Sequence, residues 1–397
     1  MLPLRRKRCR SAAFGAAGSP SVRILIVGGG IAGLTLAARL RQRGLRPTVI
    51  DTIGSYGRAG TAITLWPTGS RVLHGLGLWN SFIDTSVPLW RYVVHDRHGE
   101  VLRTFDLERL EARNGLPRVT PRAELLAVLE SANGGTPVDL ETEVQRMRQI
   151  GSTVRVRFDD GRERDFDLVV GADGLRSRTR EQAELDTAEH RFGWRLWWWW
   201  AQRGVTPPGE LHETWGLRRI MSAYPTQDRV ACFVAIAGSF GGANPSAGTG
   251  QWPPSDPRRT DEGWILRTLP DADRVDWLDL VEVTVPQWIR GRIVLLGDAA
   301  AGLVPTTGIG ASLAMESAAV LDDELVRVDT AHIDIALTRF ARRRMPRVDA
   351  EQHRARVFGE FMMLQSPIAR HCRDLGLRYF PTPVICRELD RWNNSPI

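Results

Sequence analysis

"ILIVGGGIAGLTLAARLRQRGLRPTVID", residues 24–51, decides the fold. Val22–Val27 is a run of aliphatic and β-branched residues broken only by Arg23, the pattern of a strand. Gly28-Gly29-Gly30-Ile31-Ala32-Gly33 follows at once. Leu34, Ala37, Ala38 and Leu40 then recur at helical spacing as far as Gly44, and Pro47–Asp51 reads as a second strand. Gly28, Gly30 and Gly33 make the spacing GxGxxG. Glycines there allow a tight turn and let the backbone approach a pyrophosphate, while the amides of the helix start face the phosphates. Asp51 ends the second strand, 18 residues after Gly33, where an acid accepts hydrogen bonds from ribose hydroxyls. The acid favours an unphosphorylated ribose, as in FAD or NAD. The expectation is an α/β, Rossmann-like dinucleotide-binding domain.

Two later stretches repeat the device. "FDLVVGADGLRSRTR" (166–180) runs a strand into Gly171-Ala172-Asp173-Gly174. Alone it reads as a type I turn. "GRIVLLGDAAAGLVPTTGIGAS" (291–312) runs a buried strand into Gly297-Asp298 and reopens as a helix after Gly308-Ile309-Gly310. It is not a second GxGxxG for a nicotinamide dinucleotide, because Leu313 stands at the third glycine position. A helix start bearing glycines offers amide donors and about half a positive charge to an anionic ring.

The three motifs GxGxxG, GADGxxSxxR and GRxxLLGDAAxxxxPxxGxGxxxAxE, in this order, resemble the para-hydroxybenzoate hydroxylase family of class A FAD monooxygenases, over about residues 22–345. The resemblance implies that Gly28, Gly30, Ile31, Ala32 and Gly33 bind the FAD pyrophosphate and Asp51 the adenosine ribose. It implies Arg122 beside the pyrophosphate or ribityl chain, and Asp173 and Gly174 in a motif linked to both FAD and NAD(P)H. Gly297 and Asp298 are implied at the ribityl chain, Pro305 near the flavin ring, Gly308, Ile309 and Gly310 at its pyrimidine edge, and Arg58 at the flavin. Ala301, Thr52 and Ser317 depart from residues common in relatives (His, Arg and Asp), and little effect is expected from Ser317.

The composition agrees and excludes alternatives. The chain has 397 residues, 43% hydrophobic and 25% charged, too long for one ordinary core. Its formal charge of +7 falls to about +2 without the five basic residues in MLPLRRKRCR, and no basic stripe interleaves with aromatics, so nucleic acid is not an expected partner. Arg5-Arg6 could open a twin-arginine signal, but the apolar part Ser11–Ser19 is short and weak. Residues 1–20 are instead read as a disordered basic extension. Cys9, Cys232, Cys372 and Cys386 have no ligand or disulfide spacing; no metal is expected, and a cytoplasmic location fits. Lys7 is the only lysine, so the body has none for a Schiff base.

Along the chain, residues 60–80 read as an amphipathic helix, 89–94 with 101–105 as a hairpin, Pro121–Leu129 as a helix, and 154–158 with 166–170 as a second hairpin. Strand-like runs fill 192–237, residues 239–262 read as a loop, and helices follow from about Ala311, broken at Pro346, Pro367 and Pro381–Pro383. The expected organisation is a discontinuous FAD-binding domain (21–84, 116–188, 286–345), a β-sheet substrate domain (85–115, 189–285) and a C-terminal helical segment (346–397).

Trp197–Trp200 is the unusual feature. On a strand Trp197 and Trp199 share one face and Trp198 and Trp200 the other. Trp197, Trp199, Trp215, Tyr224 and Pro305 are the expected wall of an apolar pocket for an aromatic or polycyclic substrate, with sheet packing as the competing reading. Arg218 and Arg219 are expected at the surface, and His212 to be structural. The expected activity is a monooxygenase that uses FAD, NADPH or NADH, and O2 to insert one oxygen by hydroxylation, epoxidation or Baeyer–Villiger chemistry, in specialised metabolism. A monomer or homodimer without a membrane segment is expected. The rivals are an FAD-linked reductase or oxidase of a lipid or isoprenoid and a non-enzymatic flavin module. A flavin halogenase lacks its lysine and its WxWxIP motif here.

Overall fold

A computed structural model describes residues 22–55, 60–108, 115–132, 134, 138–238, 247–249, 265, 268 and 274–379. The expected extension over 1–20, Arg58, most of the loop 239–262 and Pro381–Pro383 lie outside the described residues.

Ile24–Val27 lies inside a five-stranded sheet. Thr48–Ile50 flanks it on one side; Leu168–Gly171 and then Ile293–Leu295 follow on the other, all parallel. Strands covered on both faces need unbroken apolar runs, and the latter two are buried at every position. Val27 stands beside Gly171, and Gly171 beside Leu295. All three glycine junctions therefore leave the same carboxyl edge, where open α/β sheets bind ligands. Helices Ile31–Gln42 and Gly310–Leu325 pack together, tied by Asp322, which accepts from Arg39 and Arg43.

Three local readings are corrected. Residues 60–80 are not one helix: Ala62–Leu65 is a strand paired with Arg118–Pro121. The helix begins at Pro67, whose fixed φ suits a first turn, and ends at Gly77. The second hairpin pairs Thr153–Phe158 with Glu163–Phe166. Asp167, held by the backbone and guanidinium of Arg23, then passes the chain to Leu168–Gly171 in the parallel sheet. Pro346 does not break a helix, since Ile333–Met362 runs through it. Proline removes one amide donor, but Arg343, Arg344 and Arg347 clamp this stretch to Asp323, Glu324 and Glu316, and the tertiary contacts win.

The second large layer is a nine-stranded sheet. Its order begins Ala247–Thr249, Val275–Thr284, Ala188–Gln202, Arg229–Ala237 and continues through Arg219–Pro225, Glu210–Trp215, Arg91–His95 and Val101–Asp106, with Ala301–Gly302 added beside Val275–Thr284. The 89–105 hairpin is thus found as expected. On Ala188–Gln202, Trp197 and Trp199 do share a face: their cross-strand partners are Val234 and Cys232. Trp199 packs with Met221, Ala223 and Ile265 and donates its indole N–H to Thr268 at 2.9 Å. Trp194 and Trp200 belong to the other face, which packs against the C-terminal helices.

Candidate functional site

The first two junctions line one groove of about 820 Å3. Gly28–Gly30, Asp51, Arg122, Asp173 and Gly174 all contribute to it. Gly28 takes φ +111°, and a Cβ there would lie 2.3 Å from the carbonyl oxygen of Ala172. A Cβ at Gly33 would lie 1.9 Å from the carbonyl oxygen of Gly28. The first glycine thus admits the neighbouring junction, and the third admits the helix. Gly30 caps helix Ile31–Gln42 with no side-chain hydrogen bond, and the first turn carries no acid, so its amides remain for an anion. Asp51 accepts from the amides of Gly29 at 2.6 Å and Ile53 at 3.1 Å. That fixes a carboxylate against the glycine turn. Arg122 opens its own helix, with its guanidinium 3.9 Å from where a Gly30 Cβ would stand. Asp173 is spent locally: its carboxylate accepts from the Ser177 hydroxyl at 2.6 Å and the Thr179 amide at 2.9 Å, shaping the groove wall.

The third junction adjoins the first. A Cβ on Gly297 would lie 2.9 Å from that of Ala32. Asp298 is not among the residues lining the 820 Å3 groove, yet it lies within reach of the Arg122 charge. Its carboxylate has an open face, but protein crowds around it. That crowding raises its carboxyl above the usual range, against the pull of Arg122. No described residue donates a hydrogen bond to it. Ile309 is buried, and helix Gly310–Leu325 starts there with no side-chain cap and no acid in its first turn. Two uncapped helix starts, a carboxylate fixed at the glycine turn and a second carboxylate with no hydrogen-bond donor among the described residues fit the phosphates and sugar hydroxyls of a dinucleotide. Among the described residues no His, Cys, Asp and Glu cluster could hold a metal ion.

A second cavity of about 1010 Å3 lies between the nine-stranded sheet and the C-terminal helices. Its wall is mostly apolar: Leu89, Phe105, Trp215, Phe358, Phe361 and Leu377 are among its residues, and Thr306, Thr307 and Gly308 bring the third junction into it. Trp215 and Tyr224, two of the residues named from the sequence, are in its wall. Trp197 and Trp199 do not, because strand alternation turns them to the opposite face. Pro305 is exposed and also outside the wall; the residues just after it take its place. Arg218 is exposed and Arg219 is not in the wall, while His212 pairs with His95 at 2.9 Å and Glu210 at 3.0 Å, away from the cavity.

Sequence reasoning missed Tyr92, Glu213 and the contribution of Phe358 and Phe361. Glu213 alternates with Leu211 and Trp215 on one strand, a period of two that put an acid on the apolar face. Ser317 matters more than expected: it is buried, bonds Leu313 and accepts from Arg344.

Comparison with known proteins follows the same outline. A family described as FAD binding domain matches residues 21–201. The chain is 31% identical over 376 residues to 3-amino-4-hydroxybenzoate 2-monooxygenase of Streptomyces cremeus, covering 90% of this chain and 91% of that enzyme. It is 29% identical to aurachin C monooxygenase/isomerase of Stigmatella aurantiaca, over 75% of this chain and 79% of that one. Among solved structures, Klebsiella pneumoniae HpxO complexed with FAD and uric acid matches with a TM-score of 0.83 at 23% identity, covering 93% of this chain and 96% of that one. That likeness is one of fold.

Proposed function

Since the chain belongs to the class A FAD-dependent monooxygenases, we propose that it uses NAD(P)H and O2 to place one oxygen atom on an aromatic or polycyclic small molecule held in the 1010 Å3 cavity. The observation that carries this reading is the shared wall. Thr306, Thr307 and Gly308 line the cavity, and they immediately precede the uncapped helix start at Gly310. The place where a substrate would lie thus borders the place where the cofactor ring would end.

The residues that would hold FAD have distinct tasks. The uncapped amides from Gly30 to Gly33 would take the pyrophosphate, and Asp51 the adenosine ribose. Asp298, with no donor among the described residues, would accept from the ribityl hydroxyls. Bound FAD supplies hydride acceptance from NAD(P)H and activation of dioxygen. The amides at Gly310 favour negative charge at the ring edge. The aromatic and aliphatic wall keeps water from the reacting atoms and stacks on a flat substrate. Acids near one sugar at each end, rather than a basic site for a phosphate, support FAD as the resident dinucleotide.

A screen of aromatic compounds for stimulated NAD(P)H oxidation, with product mass measured under ¹⁸O2, tests the reading. A product heavier by one ¹⁸O is expected. Equal NAD(P)H oxidation without O2 and an unlabelled reduced product would instead identify a reductase.

A further inference from the structure

One buried carboxylate faces the cavity without a counter-charge. Glu213 is 6% exposed. One carboxylate oxygen accepts from the Tyr92 hydroxyl at 2.5 Å and the Trp215 indole N–H at 2.9 Å. The other accepts from Ser222 at 2.9 Å and, at 3.5 Å, from Tyr224. Among the described residues no arginine or histidine lies within ion-pair distance of it. Of the basic side chains in the same wall, Arg354 bonds Glu351 at 2.6 Å and Arg373 bonds the carbonyls of Met362 and Trp215 and the carboxylate of Asp374, while His353 lines another part of it.

The direction of these bonds decides what the wall offers. The donors named are all turned toward the carboxylate. Burial pushes Glu213 upward against those bonds and holds both tyrosines well above their ordinary range, so the phenols stay protonated and keep donating. What this cluster offers an incoming molecule is therefore acceptor capacity: lone pairs on two phenol oxygens, with a carboxylate behind them. A second polar group in the wall, the buried Thr307 hydroxyl, has no partner among the described residues, which shows that the cavity holds polar capacity the protein does not use itself.

We propose that Tyr92, Tyr224 and Glu213 form the specificity determinant of the cavity, selecting an aromatic ring that carries a neutral or cationic O–H or N–H donor and rejecting a ring carboxylate at this wall. The proposal rests on the cavity being the substrate site. A donor group meets an acceptor in a water-poor site, where a hydrogen bond backed by charge is worth most. A carboxylate meets only acceptors and a like charge.

Three bicyclic probes separate these cases: 2-naphthol (donor), 2-methoxynaphthalene (no donor) and 2-naphthoate (anion). Binding to the FAD-loaded protein is followed by quenching of tryptophan fluorescence without NAD(P)H. Wild type should bind 2-naphthol about tenfold tighter than the ether, the worth of one charge-backed hydrogen bond, and naphthoate more weakly still. Glu213→Gln should narrow the naphthol-to-naphthoate ratio by about tenfold. Tyr224→Phe, which keeps the ring and serves if the glutamate variant does not fold, should lower naphthol affinity and leave the ether unchanged. Naphthoate binding as tight as naphthol, an unchanged ratio in Glu213→Gln, or no naphthol binding overturns the proposal. Stimulated NAD(P)H oxidation is scored separately: intact selectivity without any turnover would sink the monooxygenase substrate reading and leave the selectivity standing.

Discussion

Asp298→Asn separates a ligand-binding carboxylate from a structural one. Asp298 accepts no hydrogen bond from a described residue, and the protein around it holds its carboxyl above the usual range. A carboxyl whose folded pKa lies above its unfolded value stabilises the fold at low pH and loses that contribution as pH rises through the folded pKa. At neutral pH the ionised group is therefore a cost to the folded apoprotein, opposed but not cancelled by Arg122. Asparagine removes the charge at almost constant shape, so apoprotein stability should stay level or rise. Cofactor affinity should move the other way. A hydrogen bond from a sugar hydroxyl to a carboxylate is worth about 1.5–3 kcal/mol, which converts to about 10- to 150-fold in Kd. Asparagine retains one acceptor and belongs at the low end of that range; Asp298→Ala belongs at the high end. Flavin fluorescence titration measures affinity, and urea unfolding of the apoprotein measures stability. An Asp298→Ala protein that binds FAD with unchanged Kd would refute the assigned role. Loss of more than about 1 kcal/mol of apoprotein stability in the asparagine variant would show that the carboxylate supports the fold.

Other substitutions test other parts of the structure. Gly28→Ala forces a Cβ to 2.3 Å from the Ala172 oxygen at φ +111° and should cost more than about 2 kcal/mol, whereas Gly75→Ala near the end of helix Pro67–Leu76 should gain about 0.5–1 kcal/mol; thermal unfolding of the two compared with wild type decides. Glu316→Ala strands Arg344, which is 2% exposed, and should cost about 3–5 kcal/mol in urea unfolding. Burial raises the Glu316 carboxyl, but hydrogen bonding by Arg347 and the charges of Arg344 and Arg347 outweigh it and hold it low, so its stabilisation is present above the unfolded glutamate pKa and is lost as pH falls through the folded one; a wild type-to-variant gap that widens on acidification would contradict this. Trp199→Phe removes the bond to Thr268 and should lower the unfolding midpoint, while probe affinity in the cavity stays unchanged because the side chain lies behind the sheet; altered affinity would return Trp199 to the substrate wall.

The cofactor half of this molecule is legible because its signals are local. Gly28 and Gly33 are needed where a Cβ would strike backbone, and such requirements write themselves into a short spacing. Ile24–Val27 and the strands ending at Gly171 and Leu295 are buried along almost their whole length, so their apolar runs announce a parallel sheet. The errors arose where local pattern and tertiary partner disagree. Residues 60–80 have helical periodicity throughout, yet Ala62–Leu65 gains more from pairing with Arg118–Pro121. Pro346 carries a helix-breaking signal that ion pairs from the flanking arginines override. Strands 163–166 and 168–171 differ by a single intervening residue, and nothing local says that the chain changes sheets at Asp167.

The 1010 Å3 cavity resists sequence reading for a different reason. It is assembled from strands at Tyr92 and Glu213–Tyr224, from the turn at Thr306–Gly308 and from helices beyond residue 350, and no one segment records the others. Alternation correctly put Trp197 and Trp199 on one face but could not say which face meets the cavity. The answer depends on where the C-terminal helices dock, which the tryptophans do not encode. Glu213 shows how such a wall can still be inferred. An acid in phase with Leu211 and Trp215 on an amphipathic strand must either face solvent with them or be buried with them. Trp215 is too large and apolar to be left exposed without cost, so the acid had to be buried. A buried carboxylate demands donors, and the register supplies Ser222 directly opposite, with Tyr92 and Tyr224 close by. The polarity of the cavity wall then follows from the strand alternation that placed Trp215 inward.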